Sequence, residues 1–250
     1  MDNKFIVVMP FYNAEKWITK SIKSLMLQDY TNYECIIMDD NSTDNSSQIV
    51  KKQIASDSRF HLHKNPINIG PLGNVYTAVF NDITHINNED IIVILDGDDF
   101  LAGGKCLSTL NEFYNENECW MTYGSYINLS TKQRGKFSRP PPEHVITNNL
   151  YREYEWCTSH LRTYKRFLLD HIDVKDLLDE NEDFLKAAGD LALMFPLLEL
   201  CGHKAKYVKN IMYIWNDLNE LNEHKDKREL QLKCEQYIRS LKKYDCLKGL

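Results

Sequence analysis

Three carboxylates stand together directly after an apolar run. Asp96, Asp98 and Asp99 follow Ile91–Leu95, so a buried strand is predicted to deliver all three to its carboxyl end. Grouped like charges in a cleft raise one another's pKa unless a cation neutralises them. Clusters of oxygen ligands suit Mg²⁺ or Mn²⁺ held jointly with phosphate oxygens. The pattern predicts a divalent-metal site, and a solvated acidic turn is the alternative interpretation.

A second acidic pair follows another predicted strand in the same way. Asp39 and Asp40 come directly after Glu34–Met38, and Asn41–Asp44 has the composition of a helix cap. Capping accounts for the later residues of this run but not for two carboxylates at the strand end. A carboxylate there can accept a hydrogen bond from a base N–H or a ribose hydroxyl. We therefore favour contact with a nucleotide over capping alone.

The elements that must position these groups are visible over the first 126 residues, where short apolar runs alternate with amphipathic stretches. The predicted strands are Phe5–Met9, Glu34–Met38, Phe60–His63, Ile91–Leu95 and Trp120–Tyr126. The predicted helices cover Ala14–Gln28, the region of Ile49 and Ile54, and the region of Val75, Val79 and Ile83. This order predicts a mostly parallel sheet with helices on both faces. Such sheets bind ligands beyond the carboxyl ends of their strands.

Four motifs at the predicted strand ends resemble, in their order, the motifs of family 2 glycosyltransferases. They are Pro10-Phe11-Tyr12-Asn13, Asp39-Asp40-Asn41-Ser42-Thr43-Asp44, Asn68-Ile69-Gly70 with Asn74, and Asp96-Gly97-Asp98-Asp99. The resemblance covers about the first 126 residues. It implies a GT-A fold, a UDP-sugar or similar donor, a divalent metal, and inversion at the anomeric carbon.

The resemblance also implies roles for individual residues. Its donor-binding set is Pro10, Tyr12, Asn13, Asp39, Asp40, Asn68, Asn74 and Asp96. Within this set Asp40 or Asp39 would meet the base, and Asp96 would lie near the ribose. Asp98, with Asp99 assisting, would hold Mn²⁺ or Mg²⁺ on the diphosphate, and His224 in the tail could complete the metal shell. Separately, Arg162 could contact the diphosphate or an acceptor, with a surface ion pair as the alternative.

Inversion needs a base that takes the proton of the acceptor hydroxyl. In the family this base is an acidic residue at the start of a helix, and Asp190 within Ala187–Phe195 occupies the matching place. Many relatives have Glu-Asp there, so Gly189 is a departure. Glu182 and Asp183 are the rival candidates for the base. Helix capping is the structural alternative for Asp190.

The pattern changes after Tyr126. A loop is expected over residues 128–149, one or two helices over 182–201, a strand pair or an extended segment over 205–214, and a charged amphipathic helix over Asn222–Tyr244. We divide the chain into a nucleotide-sugar-binding α/β subdomain (1–126), an acceptor-side part of the GT-A domain (127–221) and a C-terminal helix (222–250).

The composition of the chain limits which classes of partner are expected. The chain has 250 residues, a net charge of −6 and basic residues scattered along it, so no nucleic-acid partner is expected. It contains neither 18 consecutive apolar residues nor a signal-peptide pattern. Seven widely spaced cysteines are typical of reduced thiols, so a cytoplasmic protein is expected. Peripheral membrane contact stays open, and the acceptor, whether glycan, protein or lipid, is not identified.

Other functions compete with sugar transfer. A phosphatase of the haloacid dehalogenase type also uses Asp-x-Asp after a strand, but Asp99 stands where that class has Thr or Val. A dinucleotide oxidoreductase would need a glycine fingerprint where Pro10-Phe11-Tyr12-Asn13 stands. A nucleotidyltransferase fits the order of the Asp pairs less well. A catalytically inactive nucleotide-sugar-binding module stays open.

Overall fold

Continuous apolar runs build the centre of a mixed β-sheet in the computed structural model, which describes residues 2–81, 83–221 and 228–248. The strands in these ranges are β1 (Phe5–Phe11), β2 (Tyr33–Asp39), β3 (Phe60–Lys64), β4 (Ile91–Ile94), β5 (Phe100–Leu101), β6 (Met121–Asn128), β7 (Arg162–Lys165) and β8 (Ala205–Trp215). The α-helices are α1 (Ile18–Met26), α2 (Ser46–Ile54), α3 (Gly70–Phe80), α4 (Cys106–Asn117), α5 (Glu143–Thr147), α6 (Gly189–Cys201) and α7 (Arg228–Ser240). The strand order is β3-β2-β1-β4-β7-β6-β8-β5.

The first half of the sheet confirms the predicted strands and helices. β1 pairs in parallel with β2 and β4, and β2 pairs in parallel with β3. Ile6 and Val8 of β1 belong to a core shared with α3 and α6, whereas Phe5, Val7 and Met9 belong to a core shared with α1, α2 and α4. Because helices cover both faces, these strands are apolar at every position rather than at alternate ones.

The second half of the sheet contains a strand that the sequence did not indicate. β7 lies between β4 and β6 and runs antiparallel to both. Its four residues, Arg-Thr-Tyr-Lys, are too few and too polar to show a period. β8 pairs in parallel with β6 and antiparallel with β5. The sheet is therefore parallel from β3 to β4 and mixed beyond β4.

The downstream predictions are confirmed in part. The extended segment over 205–214 forms β8, and the loop over 128–149 contains the short helix α5. Of residues 182–201, only Gly189–Cys201 is an α-helix, which follows the left-handed residue Ala188 (φ 54°). The last helix is described as α7; its expected first residues, 222–227, lie outside the described residues. The sheet continues across residue 126, and the division into subdomains stays a prediction.

None of the helices in the described ranges combines the length and the apolar character that crossing a bilayer requires. The described cysteines are free thiols, and all except Cys246 are buried. The fold therefore depends on packing and on polar contacts for its stability.

A buried ion pair fastens the C-terminal region to the core. Arg152 donates from Nε and Nη2 to the two carboxylate oxygens of Glu199, at 2.6 and 2.9 Å, and from Nη1 to the carbonyl oxygen of Ile238 in α7 at 2.7 Å. The backbone N–H of Tyr244 donates to Glu199 at 3.0 Å. Both charged side chains are almost fully buried. One ion pair therefore holds α6, α7 and the segment after α5 together.

Breaking this pair should destabilise the chain strongly. Glu199→Gln keeps the shape of the side chain but leaves the Arg152 charge buried without a counter-charge. The free energy of unfolding should fall by about 3 kcal/mol. Urea unfolding followed by circular dichroism measures the change.

The matched control is Glu229→Gln. Glu229 pairs with Lys233 at 3.0 Å on the exposed side of α7. Exposed pairs contribute little because water screens them, so this variant should unfold like the parent. Equal losses in the two variants would contradict the role assigned to Arg152 and Glu199.

Candidate active site

A cavity of about 540 Å³ opens at the carboxyl ends of the central strands. Its wall includes ten of the residues predicted to form the site: Pro10, Tyr12, Asp40, Asn68, Asn74, Asp96, Asp98, Asp99, Arg162 and Asp190. Asn13 and Asp39 are not part of this wall, and His224 lies outside the described residues. Nearly all of the predicted site residues therefore lie around one cavity at the strand ends. The chemical role of each residue stays a prediction.

Close backbone packing holds the acidic turn after β4 against β1. The N–H of Gly97 donates to the carbonyl oxygen of Pro10 at 2.9 Å. A Cβ atom on Gly97 would lie 2.5 Å from Cβ of Phe11, which is closer than two carbon atoms can approach. Glycine is therefore required between the first two carboxylates, and it fixes Asp96 and Asp98 on either side of this contact.

Asp99 is anchored inside the protein. Its Oδ2 accepts a hydrogen bond from the Tyr213 hydroxyl at 2.6 Å, and its Oδ1 accepts one from the Asn216 backbone N–H at 2.6 Å. Burial raises the pKa of Asp99 well above its ordinary value, and the charges of Asp98 and Asp96 raise it further. With both oxygens engaged, Asp99 connects the turn to the end of β8, an arrangement that does not favour direct contact with a metal.

Asp96 lies beside a buried cation. Nη2 of Arg162 is 3.4 Å from Oδ2 of Asp96, and the Tyr213 hydroxyl is 3.3 Å from the same oxygen. Arg162 is only 7% exposed, so this ion pair belongs to the cavity wall and not to the surface. Burial raises the pKa of Asp96, Arg162 and Tyr213 partly offset the shift, and the charge of Asp190 adds to it.

His160 supports Arg162 and was not among the predicted residues. Its Nε2 lies 2.7 Å from Nη2 of Arg162, and its ring packs on Tyr213 with ring centroids 4.4 Å apart. Burial and the neighbouring guanidinium hold the pKa of His160 well below its ordinary value. The neutral ring can therefore accept a hydrogen bond from Arg162. The only signal in the sequence was its position two residues before Arg162.

Among the described residues, the side chain of Asp98 has fewer partners than those of Asp96 and Asp99. Its Oδ2 accepts a hydrogen bond from Nδ2 of Asn219 at 2.7 Å. Burial raises the pKa of Asp98 to about 6, and the charge of Asp96 contributes to the shift while the hydrogen bond from Asn219 opposes it. A cation would offset this unfavourable desolvation. Asp98 is therefore the carboxylate of the turn best placed to receive a metal ion.

Asp190 approaches the same cavity from the start of α6. The backbone cap of this helix is Ala188, without a side-chain capping bond. The Asp190 charge raises the pKa of Asp96, so the two carboxylates interact across the cavity. A Cβ atom on Gly189 would lie 3.1 Å from Cβ of Leu72 in α3, which leaves little room for the glutamate of many relatives. The rival candidates Glu182 and Asp183 are exposed and lie off the cavity.

Asp40 organises the start of α3. Its two carboxylate oxygens accept hydrogen bonds from the backbone N–H groups of Ile69 and Gly70, at 2.8 and 2.9 Å. Asn65 donates to Asp40 at 3.0 Å and to Asn74 at 2.7 Å. These bonds satisfy N–H groups that a helix start leaves without partners. Asp40 therefore caps α3, while its contact with a base stays a prediction.

Asp39 and Asn13 join the loops after β1 and β2. Oδ1 of Asp39 accepts a hydrogen bond from the Ser42 N–H at 2.7 Å, and Lys64 lies 3.6 Å from Oδ2. Oδ1 of Asn13 accepts from the Thr43 N–H at 2.8 Å. The Asn13 N–H donates to the Ser42 hydroxyl at 3.0 Å. Both side chains thus hold these two loops, which border the cavity, in place.

The residues present fit a metal ion that is shared with a ligand. In the described part of the chain, no group of three or more His, Cys, Asp or Glu side chains is arranged to hold a cation. Mg²⁺ and similar ions are usually bound by one or two carboxylates together with substrate phosphates and water. Asp98, with Asp96 nearby, meets that pattern, whereas a site made entirely of protein ligands does not.

Proteins with related sequences are glycosyltransferases. An uncharacterized glycosyltransferase of Haemophilus influenzae is 39% identical over 120 residues, which are 48% of this chain and 46% of that protein. The Escherichia coli UDP-Glc:alpha-D-GlcNAc-diphosphoundecaprenol beta-1,3-glucosyltransferase WfgD is 33% identical over 142 residues, 56% of this chain and 53% of that protein. The chain therefore spans about half the length of these curated relatives.

A solved structure supports the fold. Staphylococcus aureus TarS 1-349 in complex with UDP-GlcNAc superposes with a TM-score of 0.68 at 20% identity, over 94% of this chain and 65% of that one. The expected GT-A fold is confirmed. The glycosyl transferase family 2 domain matches residues 6–173, which is more than half of the chain. The chain belongs to glycosyl transferase family 2.

Proposed function

We propose that this chain transfers a sugar from a nucleotide-diphosphate donor to an acceptor hydroxyl, with inversion and with the help of Mn²⁺ or Mg²⁺. One observation carries the proposal: Asp96, Asp98 and Asp190 line one cavity at the carboxyl ends of the central strands. One carboxylate there can share a cation with the donor diphosphate, and another is separate from it and can act as a base. Inverting transfer needs both functions.

The donor would lie over the carboxyl ends of β1 and β4. Tyr12 exposes 44% of its surface at the cavity and offers an aromatic ring to a base. When bound at Asp98, the cation supplies positive charge that stabilises the departing nucleoside diphosphate. Arg162, held by His160, adds a fixed guanidinium near Asp96 that can donate to the diphosphate or to the acceptor.

Asp190 would accept the proton from the acceptor hydroxyl. Its only hydrogen bond to protein in the described residues is the local one that Oδ1 accepts from the Leu191 N–H at 3.0 Å. The side chain is therefore available to an acceptor hydroxyl while the metal is shared by the other carboxylates.

The relatives support the choice of substrates. The name of the Escherichia coli protein specifies UDP-Glc and a diphosphoundecaprenol-linked acceptor, and the TarS structure holds UDP-GlcNAc. We therefore propose a UDP-sugar donor and a sugar acceptor carried on a lipid diphosphate. Family membership supports transfer over a phosphatase of the haloacid dehalogenase type. One measurement distinguishes the proposed enzyme from an inactive binding module. The enzyme releases UDP when donor and acceptor are mixed, and the binding module does not.

Donor binding should depend on metal. UDP should bind at least about tenfold more tightly with Mn²⁺ than with EDTA, because the Asp96 and Asp98 carboxylates otherwise repel the diphosphate. Asp98→Asn should remove this gain and abolish turnover. Calorimetry of UDP binding tests the metal dependence, and UDP release in the presence of acceptor tests turnover. Asp44→Asn, which changes a carboxylate that is not part of the cavity wall, is the matched control. Equal affinity for UDP with and without Mn²⁺ in the parent would rule out the proposed metal role.

The same two variants should shift stability in opposite directions. The pKa of Asp98 is raised to about 6 in the fold, so the folded state holds an extra proton between about pH 4 and pH 6. Metal-free stability therefore falls as pH rises through this window. Asparagine does not ionise, so Asp98→Asn does not lose stability as pH rises. This variant should raise the free energy of unfolding at pH 7, in EDTA, by roughly 1–3 kcal/mol.

Asp44→Asn should instead lower stability at neutral pH. Although burial raises the pKa of Asp44, hydrogen bonds from Ser46 and from the Glu15 N–H lower it overall. Charged Asp44 therefore stabilises the fold above the pKa of the unfolded chain, and that contribution is lost as pH falls. Thermal unfolding from pH 4 to pH 8 measures both variants. If both variants were more stable than the parent at neutral pH, or both less stable, the pKa shifts assigned to Asp98 and Asp44 would be wrong.

Removal of Asp190 should impair chemistry without impairing binding. Asp190→Asn should bind UDP and Mn²⁺ like the parent and lose about 10²- to 10⁴-fold in transfer rate, the range expected for deletion of a general base. Transfer is measured as UDP release with acceptor present, and slow donor hydrolysis should persist because water can lose its proton to bulk solvent.

The rival acids provide the controls for Asp190. Asp183→Asn and Glu182→Gln alter exposed side chains outside the cavity wall, so both variants should transfer at the parental rate. Parental activity of Asp190→Asn, or a fall in donor affinity that matches the fall in rate, would require another base.

A further inference from the structure

Two segments far apart in sequence carry basic residues and no acids. Residues 128–142 contain four Lys and Arg, and residues 202–215 contain three Lys, with no Asp or Glu in either segment. The whole chain has 36 acidic residues and a net charge of −6. Positive charge is therefore concentrated in these two segments, although the chain as a whole is negatively charged.

The fold joins the two segments into one surface. Arg134 donates from Nη1 to the Tyr207 hydroxyl at 3.0 Å, and its Nη2 lies 3.4 Å from the carbonyl oxygen of Lys209. The Tyr207 hydroxyl donates to the carbonyl oxygen of Ser138 at 2.9 Å. We call this surface the basic face, defined by its four basic residues without a carboxylate partner among the described residues: Lys132, Arg134, Lys136 and Lys209. Lys206 lies apart from it, in a pocket that Glu116 and Glu118 also line.

Two further basic residues of these segments have carboxylate partners. Arg139 pairs with Glu155 at 2.6 Å, and Lys204 lies 3.6 Å from Glu118. Lys132, Lys136 and Lys209 are exposed, so their charges face solvent. A protein with net negative charge that keeps an uncompensated positive surface is electrostatically complementary to an anionic partner.

The basic face adjoins the cavity. The N–H of Leu129, at the start of the first segment, donates to the carbonyl oxygen of Trp215 at 2.8 Å, and Trp215 lines the cavity. Beyond β8 two leucines are exposed: Leu218 at 52%, and Leu221, also in the cavity wall, at 55%. Exposed leucines in the segment that follows β8, the strand that carries Lys209, together with the basic face suit an interface of anionic headgroups and acyl chains better than a purely polar polyanion.

We propose that the basic face docks this chain on an anionic lipid bilayer. Lysine and arginine near such a surface gain attraction that adds over several charges, and the apolar side chains insert at the boundary of headgroups and acyl chains. Docking by this face would present the cavity mouth to the bilayer. The inference rests on charge and exposure and is independent of the transfer reaction, because binding to vesicles requires neither donor nor acceptor.

Vesicle sedimentation with the full chain tests the proposal. The parent should bind vesicles made of equal parts phosphatidylglycerol and phosphatidylcholine, should not bind phosphatidylcholine alone, and should release as salt rises. The triple variant Lys132→Glu, Lys136→Glu, Lys209→Glu should lose roughly 100-fold or more in affinity. The corresponding Lys→Gln triple variant should lose less vesicle affinity than the Lys→Glu triple. It removes the charges without reversing them, so it tests the same surface if the charge reversal impairs folding.

The matched control reverses three exposed lysines elsewhere. Lys23→Glu, Lys51→Glu and Lys52→Glu on α1 and α2 change the net charge by the same amount, and this variant should keep more than half of the parental vesicle affinity. Equal losses in the two triple variants would overturn the proposal, since net charge alone would then explain binding. Failure of the parent to bind anionic vesicles would overturn it as well. Tighter binding to single-stranded RNA than to vesicles would reassign the basic face to nucleic acid.

Discussion

The site depends on keeping three carboxylates close together at the end of a buried strand. Asp96, Asp98 and Asp99 follow β4, and burial raises the pKa of each one. Without compensation, their desolvation and mutual repulsion would disfavour the charged forms. The surrounding structure compensates each carboxylate differently: Asp99 with hydrogen bonds, Asp96 with a guanidinium, and Asp98 with an amide from Asn219. This difference leaves Asp98 as the carboxylate with capacity for a cation.

That compensation explains the mixed half of the sheet. β7 pairs with β4 so that Arg162 lies across from Ile94, two residues before Asp96. β8 brings Tyr213 to both Asp96 and Asp99, and the chain directly after it supplies the Asn216 N–H. A parallel βα arrangement alone would supply strand ends and helix starts, but not these groups. β7 and β8 therefore supply groups that compensate the buried carboxylates, in addition to completing the sheet.

The sequence predicted the parts whose signals are local. Apolar runs located β1 to β4 and β6, and strand-end carboxylates located the cavity, because period and position along a strand can be read from neighbouring residues. It did not predict β7, which is short and polar. It did not indicate that Tyr213 and Asn216 bind Asp99, because the pairing joins residues more than 110 positions apart. The basic face was missed for the same reason: scattered lysines become one surface only after β8 packs beside β6.

Asp40 illustrates how a positioning role and a binding role can coincide. Its carboxylate accepts hydrogen bonds from two N–H groups at the start of α3, which fixes where Asn68 and Asn74 meet the cavity. These bonds hold the carboxylate in one position, and a bound base would then meet a preorganised edge. The alternatives weighed from sequence, capping or nucleotide contact, are therefore compatible. Asp190 differs: within the part of the chain that the structure describes, its side chain accepts a single hydrogen bond, from the Leu191 N–H, and this suits a group that must accept a proton and release it in every turnover.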